Sequence, residues 1–377
     1  MSNRMAPAQY RRFNLALLGL VLCGLVGFLV VLLTTDPPVG DLTRLGGYTE
    51  NRFGWRNGQT LFAPALAHAA APTGPAIATM NDDIIVLGDS FSSHNSAGRQ
   101  ARPGQFWTDF LASETSLSVG VLDLDAMSAA SFAASDIYRL RPPRLVILEV
   151  VARELRRRIG GPGITCPAPP APRLPGFPIL HRQTARDTLA RPTAGLASVT
   201  PESIDVTLDM IRKTLLRQLT GFDSTPVLRL KLDRSDLFSS REPATLLAYA
   251  DDTRKARWSS DDWSSIRCGV TALRRDIEAN GVTRFALLIA PDKSWAYAPY
   301  LEPGVWAIDP MERLDLDGAV IAPRVDQALR AAIAAGTRDV YLPDDTHWGT
   351  TGARIAAQVV ARALQPPTTG LVSVALP

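Results

Sequence analysis

From residue 84 onward the chain alternates short apolar runs with segments of helical spacing. Residues 84–88, 119–124, 145–151, 284–290 and 340–342 are rich in Val, Ile and Leu, which predicts buried strands. Apolar residues at helical intervals predict helices near 104–113, 129–140, 266–280, 325–335 and 350–364. Another is expected over 201–219, with Thr200 as N-cap and Glu202 in its first turn. Such alternation predicts an α/β fold, a doubly wound parallel sheet with helices on both faces and right-handed crossovers. Two stretches break the rhythm. Residues 160–200 are rich in Pro and Gly and open an insertion around 160–265, and residues 223–265 are mixed and polar.

The amino-terminal pattern is different. Residues 13–33 carry no formal charge, and only Asn14 among them is strongly polar. The run is long enough to cross a hydrocarbon core as a helix. Arg4, Arg11 and Arg12 precede it and Asp36-Pro37-Pro38 ends it, so residues 1–12 are expected to be a cytoplasmic tail with the body outside. The competing reading is a cleaved signal peptide. Against it, the run is longer than such regions usually are, and no small-x-small cleavage site follows cleanly. Residues 34–80, rich in Pro, Gly and Ala, read as a linker or strap, and 81–377 as the domain proper. Within the strap, Glu50-Asn51-Arg52-Phe53-Gly54-Trp55-Arg56 is a patterned island whose two aromatics favour packing.

Composition adds limits. At 46% apolar and 20% charged residues the chain is ordinary for a globular protein. A net charge of +3, with the basic residues spread out, gives no nucleic-acid footprint. Cys23 lies in the apolar run, leaving Cys166 and Cys268 either to form one disulfide in an oxidising compartment or to stay as two buried thiols. Neither has zinc-site spacing, and no metal or cofactor is called for.

The candidate chemistry lies at two strand ends. Gly88-Asp89-Ser90-Phe91-Ser92 follows the first strand, where an α/β sheet delivers side chains to a ligand crevice. A serine becomes a nucleophile there only if a base can reach it. Asp344-Asp345-Thr346-His347-Trp348 follows the last apolar run and offers one. Ser90 as nucleophile, His347 as base and an aspartate orienting the imidazole would make an acyl-transfer triad. Asp345 is favoured as the orienting group, with Asp344 as the alternative. Asp89 and Asp292 read as turn or capping residues. His94 and His181 lack a strand-end partner motif, and His68 lies in the Ala-rich strap.

Ser90 with Asp345-Thr346-His347-Trp348 and Gly352-Ala353 resembles the SGNH hydrolase-like superfamily, in particular its alginate O-acetylation proteins. Pro143 to Ile147 with Glu149 and Arg153, Pro291-Asp292-Lys293 with Tyr297 and Tyr300, and Glu50 to Arg56 resemble further segments of those proteins. The Gly-x-Asn-Asp block of SGNH esterases is missing, so the second oxyanion donor is unassigned. Ser128, Arg153, Lys293 and Trp348 are the candidates for that hole or for substrate, and Trp258 and Trp263 for stacking on sugar rings. The resemblance implies a periplasmic O-acetyltransferase anchored in a bacterial inner membrane. It would act on an exopolysaccharide or other envelope glycan through an acetyl-serine, with a membrane-bound O-acyltransferase-type partner as acetyl donor. A carbohydrate acetylesterase and a non-catalytic scaffold of an export complex are the alternatives.

Overall fold

The computed structural model describes residues 7–34, 40–54, 62–64, 82–92, 105–161, 164, 166, 201–221, 223, 225–304, 308–316, 318 and 320–365. Trp55, Arg56, His68, His94, His181 and most of 162–200 lie outside them. The apolar run forms helix α1 (Pro7–Thr34), in which Tyr10–Val31 is long and apolar enough to cross a membrane and none of that stretch is buried in the protein. Two short helices of the strap follow, α2 (Asp41–Gly46) and α3 (Glu50–Phe53). Leu42, Tyr48 and Phe53 fasten them to Val227 and Leu247 of the body.

All five residues of strand β1 (Ile84–Gly88) are buried, as expected of a strand covered on both faces. Helix α4 (Trp107–Thr115) leads to β2 (Val119–Asp123), helices α5 (Ala129–Ala133) and α6 (Asp136–Leu140) to β3 (Leu145–Val151), and α7 (Leu155–Arg158) follows. Helix α8 (Pro201–Thr220) precedes a hairpin of β4 (Val227–Lys231) and β5 (Thr245–Tyr249). Helix α9 (Ser260–Glu278) leads to β6 (Arg284–Ala290), then α10 (Lys293–Ala296), α11 (Pro310–Leu314), α12 (Val325–Ala334) and α13 (Thr350–Ala363). The main sheet is parallel, in the order β2-β1-β3-β6. Side chains alternate between its two faces. Ile84 and Val86 join a core with α4, α12 and α13, whereas Ile85 and Leu87 join another with α5, α6 and α9. The chain runs from β1 to β2 on one side and returns to β3 on the other, so the strand order reverses at β1. Open α/β sheets bind ligands at such a switch, outside the carboxyl ends of the strands. Ser90 lies there.

Three expectations need correction. Residues 340–342 do not join the sheet; Tyr341 makes an isolated antiparallel bridge with Trp348. The chain folds back on itself there, with Leu342 N–H donating to the His347 carbonyl and Gly349 N–H to the Val340 carbonyl, both at 3.0 Å. Residues 129–140 form two helices, because the Ser135 hydroxyl accepts the Tyr138 N–H and starts a new one. The polar stretch 223–265 contains the β4–β5 hairpin, whose Leu246 and Ala248 enter the first core with Leu232, Leu237 and Phe238. The arginine and lysine of Val-Leu-Arg-Leu-Lys mask that strand in the sequence. Cys166 and Cys268 form a disulfide, with Cα atoms 4.5 Å apart, that ties the stretch after α7 to α9.

Candidate active site

The turn after β1 is fixed by two carboxyl groups. Asp89 accepts the Phe91 N–H at 3.0 Å and the Val151 N–H at 2.9 Å, joining the turn to the end of β3. Glu149, fully buried on β3, accepts the Asp89 N–H at 3.1 Å and the Ser92 hydroxyl at 2.8 Å. Burial, and then the neighbouring Asp89 charge, push the Glu149 pKa well up. Trp107 closes the turn by donating its indole N–H to the Ser92 hydroxyl at 3.0 Å. A Cβ at Gly88 would collide with that hydroxyl, so only glycine fits beneath the turn. The N–H groups of Asp89, Phe91 and Ser92 are thus engaged. Among the described residues the Ser90 N–H has no acceptor.

Across the crevice, His347 Nε2 stands 2.7 Å from Ser90 Oγ and Nδ1 stands 2.5 Å from Asp345 Oδ1. Asp345 also accepts the His347 N–H at 3.0 Å and the Asp41 N–H at 3.0 Å. Burial works against the Asp345 charge, but the imidazole and these donors outweigh it and hold the carboxyl well below the usual range. Burial would likewise lower His347, and Asp345 followed by Asp41 more than reverses this, raising the imidazole pKa. An imidazole with an ionised partner at Nδ1 and a hydroxyl at Nε2 can take the hydroxyl proton.

Asp344, the alternative partner, points elsewhere. Burial and the adjacent Glu50 push its pKa well up, and its backbone carbonyl accepts the Leu42 and Thr43 N–H groups, each at 3.1 Å. Lys293 is buried, and its ammonium donates to the carbonyls of Leu342, Pro343 and Asp345 at 2.7, 3.1 and 2.9 Å. It therefore clamps the loop's backbone and is not available to a substrate. Arg153 is held by Asp292 at 3.2 Å and Asp252 at 3.6 Å, with its guanidinium 5.5 Å from the Tyr249 ring centre. Lys255 pairs with Asp292 in the same buried cluster. Asp292 is thus an ion-pair partner as well as the residue before α10.

Ser128 caps α5, accepting the Ser131 N–H at 3.1 Å, which is a structural role. Trp348 is buried, its ring 4.9 Å from Phe91 edge to face. With Phe91, Phe106, Trp107 and Ala353 it lines a pocket beside Ser90 and His347 of about 10 Å³, room for one water-sized group. Trp258 and Trp263 pack on each other, ring centres 4.8 Å apart, and on the second core. Trp263 is buried and presents no face for a sugar to stack on, whereas Trp258 is half-buried. Asp41, Asp345 and His347 bring ligand atoms within 4.8 Å of one another, the spacing of a cation site. Those atoms are already engaged with each other and with Thr346.

Asp41 had no signal in the sequence beyond that of any acid in a first helical turn. Glu149 carried one, a carboxylate inside an otherwise apolar strand. Its partners in the turn, Asp89 and Ser92, lie 60 and 57 positions away in the chain.

The loop that carries His347 also carries the likeness to known proteins. Residues 249–372 match the SGNH hydrolase-like domain of acetyltransferase AlgX. This AlgX-type segment takes in β6, α10, Lys293, Asp345, His347 and Trp348, and it excludes β1, Ser90 and the strap. No curated protein and no solved structure matched the chain.

Proposed function

We propose that the protein is a membrane-anchored periplasmic O-acetyltransferase that acts on a hydroxyl of an exopolysaccharide or another envelope glycan through an acetyl-Ser90 intermediate. The observation that carries this reading is the unbroken line Ser90 Oγ, His347, Asp345, at 2.7 and 2.5 Å, completed by a loop of the AlgX type. Ser90 Oγ attacks the acetyl carbonyl while His347 Nε2 takes its proton, and that proton leaves with the donor's alcohol. A glycan hydroxyl then gives its proton to His347, attacks the acetyl carbon and releases Ser90 Oγ, which recovers the proton. The Ser90 N–H is suited to hold the carbonyl oxygen as it becomes an oxyanion. The small apolar pocket suits a methyl group and favours acetyl over longer acyl chains. Helix α1 supports the anchor, and a membrane-bound O-acyltransferase-type partner would supply acetyl.

The test uses the full chain in detergent with 4-nitrophenyl acetate, with and without oligosaccharides, for wild type and Ser90→Ala. Ser90-dependent release of 4-nitrophenol, with acetyl appearing on an oligosaccharide by mass, is the expected result. Ser90-dependent release of free acetate alone, whatever the acceptor, would make the protein an esterase. Equal inertness of both chains would favour a non-catalytic scaffold.

A further inference from the structure

The last charged group of the site comes from the strap. Gly40 lies so close to the loop that a Cβ there would overlap the Asp344 carbonyl. The Leu42 and Thr43 N–H groups donate to that same carbonyl, docking the first turn of α2 on the loop. Docking brings the Asp41 N–H to Asp345 and the Asp41 carboxylate to Thr346, whose N–H it accepts at 2.8 Å and whose hydroxyl at 2.5 Å. Asp41 Oδ2 then stands 3.9 Å from His347 Nδ1. Two carboxylates flank one side of the imidazole.

A charge is an expensive way to tie down a turn here, because burial and then the Asp345 charge push the Asp41 pKa up to about 6. An asparagine oxygen would accept the same N–H without that penalty. What only a carboxylate adds is a negative charge beside the positive one that forms when His347 takes the Ser90 proton. The charged or titratable groups that face Asp41 are Asp345 and His347 on the loop, Arg153 after β3, Lys293 at the start of α10 and Tyr249 at the end of β5. The imidazole is the one whose charge changes in the reaction.

We infer that Asp41 is a positioning residue for acyl transfer, which fixes the Asp345-Thr346-His347 turn and, with Asp345, stabilises the His347 imidazolium. The inference rests on the reading of Ser90 as nucleophile. It makes the segment next to the apolar helix part of the machinery. Six residue steps separate the end of α1 at Thr34 from Gly40, a reach of at most roughly 21 Å. An acyl group arriving at the membrane surface would find the site close by.

The experiment measures how fast a fluorophosphonate labels Ser90 as a function of pH. It uses the full chain in detergent as wild type, Ser90→Ala, Asp41→Asn and Thr43→Val. Thr43 lies on the same turn and bonds Gly40 and Glu50 at 3.0 and 3.1 Å, so its replacement loosens the strap while keeping the Asp41 charge. Asp41→Asn is expected to slow labelling at the plateau about tenfold, as loss of an outer partner typically does. It should also move the acid limb to lower pH, because His347 loses a neighbour that raises its pKa. Thr43→Val should melt earlier with the limb unmoved. Labelling of Asp41→Asn at the wild-type rate and limb would overturn the inference while leaving the nucleophile reading intact. So would a Thr43→Val limb that shifts equally, or an Asp41→Asn chain that melts well below wild type, since the carboxylate would then be structural. Wild-type labelling no faster than Ser90→Ala would overturn both readings.

Discussion

Ser90 stands at the end of a fully buried strand, and its turn is fixed chiefly by the neighbouring strand through Val151 and Glu149. His347 stands in an irregular loop held from separate parts of the chain, by the strap through Asp41, Leu42 and Thr43 and by α10 through Lys293. On the nucleophile side the turn is bonded to the end of β3 through Asp89 and Glu149, and burial pushes the Glu149 pKa well up. The base side is a collection of charges that balance one another. A nucleophile needs only placement, whereas a base must also have its proton affinity set, and remote charges can set it.

The largest expected effect breaks the base side at its centre. Asp345→Asn should reduce Ser90-dependent turnover by about ten-thousand-fold, the size seen when an orienting aspartate is neutralised, and should lower the melting temperature as the stability that its charge contributes is lost. Asp344→Asn, one residue away, replaces a carboxyl whose pKa burial and Glu50 push well up and should keep most of the turnover. Next in size is Lys293→Met, which leaves buried carbonyls without their donor. It should lower stability by about 2–4 kcal/mol in urea titrations and reduce turnover as the loop loosens.

The third expectation sharpens the contrast through pH. His347 must be neutral to accept a proton, and its pKa is raised in the fold. Turnover should therefore rise with pH through an inflection above the ordinary histidine value of about 6.5. An inflection below that value would count against the arrangement of Asp345 and Asp41 around the imidazole. The same raised pKa stabilises the fold at low pH, and that contribution is lost as pH rises through the inflection. The depressed pKa of Asp345 acts the other way, adding stability above the usual carboxylate range that is lost on acidification. The smallest effect belongs to the nucleophile side. Glu149→Gln keeps the shape of the side chain and an oxygen for the Asp89 N–H and the Ser92 hydroxyl. It should change stability by no more than about 1 kcal/mol and leave turnover nearly intact.

The same contrast explains what the amino-acid sequence disclosed. Residues 84–88, 145–151 and 284–290 form strands at the boundaries their apolar runs predict, because burial on both faces leaves an unbroken Val, Ile and Leu signature. Ser90 and His347 were legible as motifs that follow apolar runs, both read as strand ends. What held the loop was not. Asp41 lies 304 positions from Asp345, and nothing local in its sequence distinguishes it from a helix-starting acid. Lys293 reads as a cation for either a carboxylate or a substrate until its three backbone acceptors are visible. Trp258 and Trp263 lie among charged residues, yet α9 turns Trp263 into the second core and the half-buried Trp258 packs against it. The apparent last strand failed because a run of three apolar residues is too short to tell a sheet strand from a loop folded on itself.

The most direct test of the central claim is to mix the full chain with 4-nitrophenyl acetate, quench with acid within the first turnover, and weigh the peptide that contains Ser90. A peptide heavier by one acetyl group, with the acetyl on Ser90 and absent from His347→Ala, is the expected result. Turnover without that acetylated peptide, or acetate release that persists undiminished in Ser90→Ala, would contradict it.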